Sequence, residues 1–196
     1  MSAHVVIFGS STAGKTSLML GLSHAESDHN FTIDRIWTTR PRRPNENDEE
    51  NVFVSPAEFE EKRQDFLLPF QTFPTYEYAV DRQAPLADRE IRMRILMPVF
   101  ALKFRSLVSD RTILCAISPY DNNPEAIMSA RDPTADPADL TARLRRFHED
   151  DIDAAAVADV RFQNSPGLPA AVARLGVMLV EQADIFNSQA QPCRQY

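Results

Sequence analysis

Apolar and polar positions fall in alternating blocks whose lengths predict strands and helices in turn. Residues 4–8 form a short apolar run that stops at Gly9, and helical character resumes over 16–22, giving strand, loop and helix. A polar stretch, 23–30, leads into a mixed apolar run at 31–39. The prolines and acids of residues 39–51 then forbid regular core structure and predict a solvated loop. Residues 52–54 read as a small strand. Ser55-Pro56-Ala57-Glu58 follows as a helix start, with Ser at the N-cap, Pro at the first position and Glu closing the capping box, and the helix runs to about Gln64.

Between 66 and 80 aromatics and prolines mix without a helical period, which predicts short strands or a hairpin. Residues 111–117 read as a buried strand. Asn123-Pro124-Glu125 and Asp136-Pro137-Ala138-Asp139 are two further N-cap and proline starts, the second opening a long helix to about Ala158. A strand at 160–163 and a helix from Leu168 to about Asp184 precede a polar tail, 187–196, with no reason to be ordered. Strands alternating with helices point to an α/β fold with a parallel sheet.

Composition narrows the class. The 196 residues are 43% hydrophobic and 25% charged, which suits one globular domain with a core of its own. A net charge of −7 argues against non-specific binding to nucleic acid or an anionic membrane. The longest apolar run, 95–102, is too short to span a bilayer, and the N-terminus lacks the cationic region of a secretory signal. Cys115 and Cys193 suggest no disulfide framework, so the expected setting is a reducing cytoplasm.

Only three lysines occur, and one lands on a position that requires it. Gly9-Ser10-Ser11-Thr12-Ala13-Gly14-Lys15-Thr16 matches the phosphate-loop pattern in full, after an apolar strand and before a helix. Backbone N–H groups from Gly9 through Ser17 would wrap phosphate. Lys15 would bridge the β- and γ-phosphates, and Thr16 would ligate magnesium. The expected cofactors are ATP and Mg2+. The Asp-x-x-Gly and Asn-Lys-x-Asp strings of a Ras-like GTPase are absent.

The run Thr38-Thr39-Arg40-Pro41-Arg42-Arg43-Pro44-Asn45-Glu46, continuing through Val52-Phe53-Val54-Ser55-Pro56-Ala57-Glu58-Phe59, resembles the acceptor-subdomain signature of guanylate kinases. That resemblance implies a P-loop NTPase three-layer α/β sandwich with a parallel sheet. The core would comprise 1–34 and 90–186, with a small inserted acceptor-binding subdomain at about 35–89 and a helical lid at about 130–143. By the same resemblance Arg40 and Arg43, with Tyr78, hold the acceptor's phosphate. Arg131 and Arg143 are the lid arginines that neutralise the transferring phosphoryl group, and Asn164 lies near the adenine. Forked guanidiniums in a proline-stiffened loop suit that task physically.

The departures concern the acceptor. Ile36, Pro69 and Val80 stand where guanine-binding members of the family carry polar contacts to the base. An unpartnered guanine edge costs about 1–3 kcal/mol per group, so GMP is a poor acceptor. Residues 94–100 stand for the strand that carries aspartates near the magnesium, and hold no acid. The ribose 1,5-bisphosphate phosphokinases resemble guanylate kinases while lacking much of the guanine pocket, which makes a phosphorylated non-nucleotide acceptor credible.

Glu46, Asp48, Glu49 and Glu50 are expected to keep the acceptor loop solvated. Glu77, between Tyr76 and Tyr78, is a candidate to recognise a donor group on the acceptor. The acids around Glu149 and the basic residues around Arg145 read as solvated helix faces. The leading expectation is a small-molecule kinase, acting as monomer or homodimer on a phosphorylated acceptor, with no nucleic-acid or membrane partner. The alternatives are a divergent GMP kinase, and a scaffold that kept the fold and lost the chemistry.

Overall fold

The computed structural model describes residues 2–10, 12–42, 46, 48–72, 76–108, 111–120, 141 and 156–189. Its centre is β1 (Ala3–Phe8), whose six residues are all buried. Such a run, apolar on both sides, belongs in the middle of a parallel sheet covered on both faces. β1 pairs in parallel with β7 (Glu90–Ile95) and β8 (Thr112–Ser118). β2 (Asn30–Ile33) and β9 (Val160–Gln163) complete five strands in the order β2-β7-β1-β8-β9.

One face of this sheet is covered by α1 (Lys15–Ser23) and α4 (Leu168–Gln189). On α4, Ala171, Val172, Leu175, Leu179 and Ala183 are buried, a single stripe at helical spacing. The two helices meet closely because Gly21 has no side chain; a Cβ there would lie 2.4 Å from Val172 Cγ2. Cys115, buried on the same face, has its thiol pushed up to about 12 by burial and by the charge of Asp159, so it serves as apolar filling.

The other face carries α3 (Pro98–Val108), which buries Pro98, Ala101 and Phe104. Three layers result, as the α/β reading expects. α3 itself departs from the sequence reading, in which residues 94–100 form a strand. The strand is β7, ending at Ile95, and Pro98 starts a helix, where its missing N–H is no loss. α4 also runs to Gln189, past the expected end near Asp184.

A second, four-stranded sheet is inserted between β2 and β7, in the order β4-β3-β6-β5. It comprises β3 (Ile36–Thr38), β4 (Asn51–Phe53) and the hairpin β5 (Phe66–Thr72) and β6 (Tyr76–Asp81). The apolar run at 31–39 is thus split: β2 belongs to one sheet and β3 to the other. α2 (Pro56–Glu61) closes over the inserted sheet and buries Phe59 against Phe66 and Ala79. Its capping box is present as predicted, with Glu58 N donating to Ser55 Oγ at 3.3 Å and Ser55 N donating to Glu58 Oε2 at 2.8 Å. Ile36, Leu68 and Val80 of the inserted sheet join Val6, Phe8, Leu96, Phe104 and Leu114 in one apolar cluster between the sheets.

A buried polar group sits beside this cluster. Arg94 is almost fully buried and lies flat over the Phe104 ring at 4.0 Å. Its Nη2 donates to Gln83 Oε1 at 2.8 Å, meets His4 Nδ1 at 3.3 Å and lies 2.7 Å from Asp34 Oδ2. The last contact is an ion pair without hydrogen-bond alignment, and Nε and Nη1 have no partner. Burial draws the guanidinium down to about 10, which leaves it charged at neutral pH. Asp34 and Gln83 stand on the two segments that join the sheets, so one core side chain ties both crossings.

His4, edge-on to Phe104, is lowered from the ordinary 6.5 to about 4 by burial first, then by Arg94 and Arg92, with Glu90 opposing. The unfolded chain therefore takes up this proton more readily. The contribution is complete above about pH 6.5 and is lost as pH falls toward about 4. Between about pH 7.5 and about pH 5, urea unfolding should show the parent losing about 2 kcal/mol more than His4→Gln. Parallel pH slopes for the two proteins would refute it.

Candidate active site

At the C-terminal end of β1 the chain turns at Gly9 (φ 130°), where a Cβ would lie 2.2 Å from the carbonyl oxygen of Ile117. Only glycine allows the loop to leave the sheet so close to β8. Gly14, with φ 77°, ends the loop and caps α1 in the left-handed conformation. A Cβ on it would meet Asn164 Nδ2 at 2.7 Å. That amide group donates to Ala13 O at 2.9 Å, so Asn164 braces the back of the loop. Its side chain thus bonds to the backbone of the loop, next to which the resemblance places the adenine.

Inside the loop, Ser10 Oγ and Thr12 Oγ1 are buried and have no hydrogen-bond partner. Buried hydroxyls are normally satisfied, and two orphans in one loop at a helix N-terminus fit an anion with several acceptor oxygens. Lys15 folds back, its Nζ donating to Gly9 O at 2.9 Å and Ser10 O at 2.6 Å. Ser17 follows, exposed, on α1, and Ser11 lies outside the described residues.

Thr16 Oγ1 donates to Glu50 Oε2 at 3.1 Å. The carboxyl of Glu50 is raised above its ordinary value by burial, with the Thr16 hydrogen bond, Lys15 and Arg40 pulling the other way and Glu46 reinforcing the rise. Glu50 is therefore no solvated loop acid, contrary to expectation. Nor is Glu46, which takes both arms of Arg40, Nη1 at 2.9 Å and Nη2 at 2.6 Å. Arg40 also lies over the Phe53 ring at 5.2 Å. Burial works against its charge, and Glu46 with Tyr78 more than offsets this, so its pKa is raised. Arg42 pairs with Asp48 over the same ring.

Tyr78 is stacked on Phe70 at 5.6 Å, and Phe70 on Phe100 of α3 at 4.2 Å. This aromatic row links the inserted hairpin to α3 of the core. Glu77 is a correction. Alternation along β6 sends Tyr78 and Val80 to the cleft face and Glu77 to the other, where it pairs with Arg63. It does not face an acceptor held by Arg40 and Tyr78. Ile36 and Val80 are buried in the apolar cluster and offer no polar contact. Arg43, Arg131 and Arg143, with the lid at about 130–143, lie outside the described residues, as do the helix starts at Asn123 and Asp136. Among the described residues there is no cluster of three or more His, Cys, Asp or Glu side chains fit to hold a metal alone.

The phosphate loop on the core is thus met by Glu50 of the inserted segment, with Arg40 near that carboxylate. A solved structure of guanylate kinase from Anaplasma phagocytophilum matches the fold with a TM-score of 0.66, covering 93% of this chain and 86% of that one at 16% identity. The fold is that of a guanylate kinase. No protein-family model and no curated protein sequence matches the chain. Among the described residues no helix is long and apolar enough to cross a membrane.

Proposed function

We propose that the chain is an ATP-dependent, magnesium-requiring small-molecule kinase whose acceptor is a phosphorylated metabolite other than GMP. The observation that carries the reading is the complete phosphate loop, with the Ser10 and Thr12 hydroxyls buried and unpartnered. A domain kept only as a scaffold has no use for such groups.

In this reading the loop amides and the two hydroxyls grip the donor phosphates. Lys15 leaves the carbonyls of Gly9 and Ser10 to neutralise charge on the group being transferred. Thr16 is the loop's metal ligand. Magnesium, when bound, offsets the charge on the phosphate oxygens. Arg40 and Tyr78 orient the acceptor's phosphate, with Arg40 exchanging Glu46 for it, and Arg43 adds a second fork. Arg131 and Arg143 are assigned the lid role. Catalysis is then positioning and charge neutralisation, with no covalent work for the protein.

Ile36 and Val80, which stand where guanine-binding members carry polar contacts, are buried in the apolar cluster and offer a base no partner, which disfavours guanine. A thermal-shift screen of phosphorylated sugars and nucleotides, with a non-hydrolysable ATP analogue present, will find the acceptor by mass action. In a coupled ADP-release assay the best of these should exceed GMP by at least about tenfold in kcat/KM, the effect of one or two unmet base contacts. GMP outperforming every other acceptor would make the chain a divergent guanylate kinase. Failure to bind ATP at all would leave a scaffold.

A further inference from the structure

β7 brings no acid to the phosphate loop. Its charged residues, Glu90, Arg92 and Arg94, bond among themselves and to Thr32, His4, Asp34 and Gln83, and Leu96 beyond it is buried in apolar core. An acid arrives from the opposite side instead. Glu50 stands at the start of β4 in the inserted sheet and reaches across to Thr16 of the loop, thirty-four residues earlier.

Its backbone leaves little room to retreat. Glu50 O accepts from Ile36 N at 2.9 Å, and the next residue, Asn51, is paired with Ile36 in the β3–β4 register. The carboxylate is therefore held beside the position that the donor phosphates would occupy, with Lys15 and Arg40 near it. An anion fixed against a polyphosphate is repulsive unless a cation lies between them. A threonine hydroxyl and a carboxylate side by side are hard oxygen donors of the kind magnesium accepts, directly or through water.

We propose that Glu50, with Thr16, holds the magnesium of the bound nucleotide, so that the metal joins the donor loop to the inserted acceptor sheet. This rests on the kinase reading above. It adds that the metal-binding acid belongs to the acceptor side.

The test is equilibrium binding of a fluorescent ADP analogue with and without Mg2+, alongside Mn2+ binding to the protein–ADP complex by electron paramagnetic resonance. In the parent, Mg2+ should tighten ADP binding. In Glu50→Gln that gain should shrink about tenfold, as should Mn2+ affinity, while metal-free ADP binding is kept or slightly improved by loss of a negative charge. Thr16→Ala should show the same loss, and the double variant little more, since the two groups act on one ion. An unchanged Mg2+ gain in Glu50→Gln would overturn the proposal. So would an equal tightening with and without metal, which would make Glu50 a plug that phosphate displaces. If the parent binds no ADP under either condition, the kinase reading itself fails; if it binds ADP and only the Glu50 results are negative, that reading stands without this addition.

Discussion

Lys15→Ala should lower phosphate transfer about a thousandfold or more while leaving the protein folded. The ammonium folds back in the loop against two carbonyl oxygens, and in the proposed mechanism it leaves them for the donor phosphates. Removing one well-placed donor to developing charge typically costs about 10² to 10³ in rate. A full positive charge between phosphates belongs at or beyond the upper end of that range. Loss of the two hydrogen bonds to Gly9 and Ser10 should cost about 1–2 kcal/mol of stability at most. Arginine should not rescue the variant, because its planar fork cannot take the place of a compact ammonium in the loop. Single-turnover ADP release, with urea unfolding as the control for fold, measures both quantities. A folded Lys15→Ala protein that transfers phosphate within tenfold of the parent would refute the mechanism.

The second large effect is on stability. Arg94→Ala should destabilise the fold by about 3–5 kcal/mol, because it opens a cavity over Phe104, leaves Asp34 without its cation and takes a hydrogen-bond donor from His4 Nδ1. Arg94→Met separates the causes. It refills most of the volume without the charge, and since Nε and Nη1 have no partner to lose, it should recover about half of the loss or more. Urea denaturation of the three proteins at neutral pH gives the comparison. An alanine variant within about 1 kcal/mol of the parent would show that the site relaxes around the missing side chain. Because Arg94 also holds Gln83 and Asp34, the alanine variant should lose order first in the segments that join the two sheets, readable by hydrogen exchange.

What the sequence made legible was local. Residues 4–8 are apolar on both faces and end at Gly9, so strand, loop and helix could be placed from their order alone. The Ser55 capping box and the hairpin through Tyr78 rest on short-range rules too. α3 escaped notice because a proline within an apolar run reads equally as a strand end or a helix start; packing of Ala101 and Phe104 against the sheet decides it. The run at 31–39 looked continuous because nothing in its hydrophobicity records that Asp34 and Arg35 pass between two sheets.

In the site, the phosphate loop was legible and its neighbours were not. Glu46 and Glu50 sit in an acidic stretch whose pattern is that of a solvated loop; Glu46 closes back on Arg40 within that loop, and Thr16, the partner of Glu50, is found only once the inserted sheet folds toward the core. Glu77 is a different case. Its neighbours Tyr76 and Tyr78 lie one residue away on a strand, and alternation alone puts it on the opposite face from both.

α4 has a consequence for the growing chain. It supplies five buried side chains to one face of the central sheet, and it follows β9 along the chain. Until about residue 183 has left the ribosome, that face lacks much of its cover, and at about 5–20 residues per second the stretch from β1 to that point takes roughly 10 to 40 seconds to make. β1, although made well before α4, cannot reach its buried setting on both faces before then. Folding of the core should therefore complete late, and the nascent chain should be a ready client for chaperones that bind exposed apolar strands.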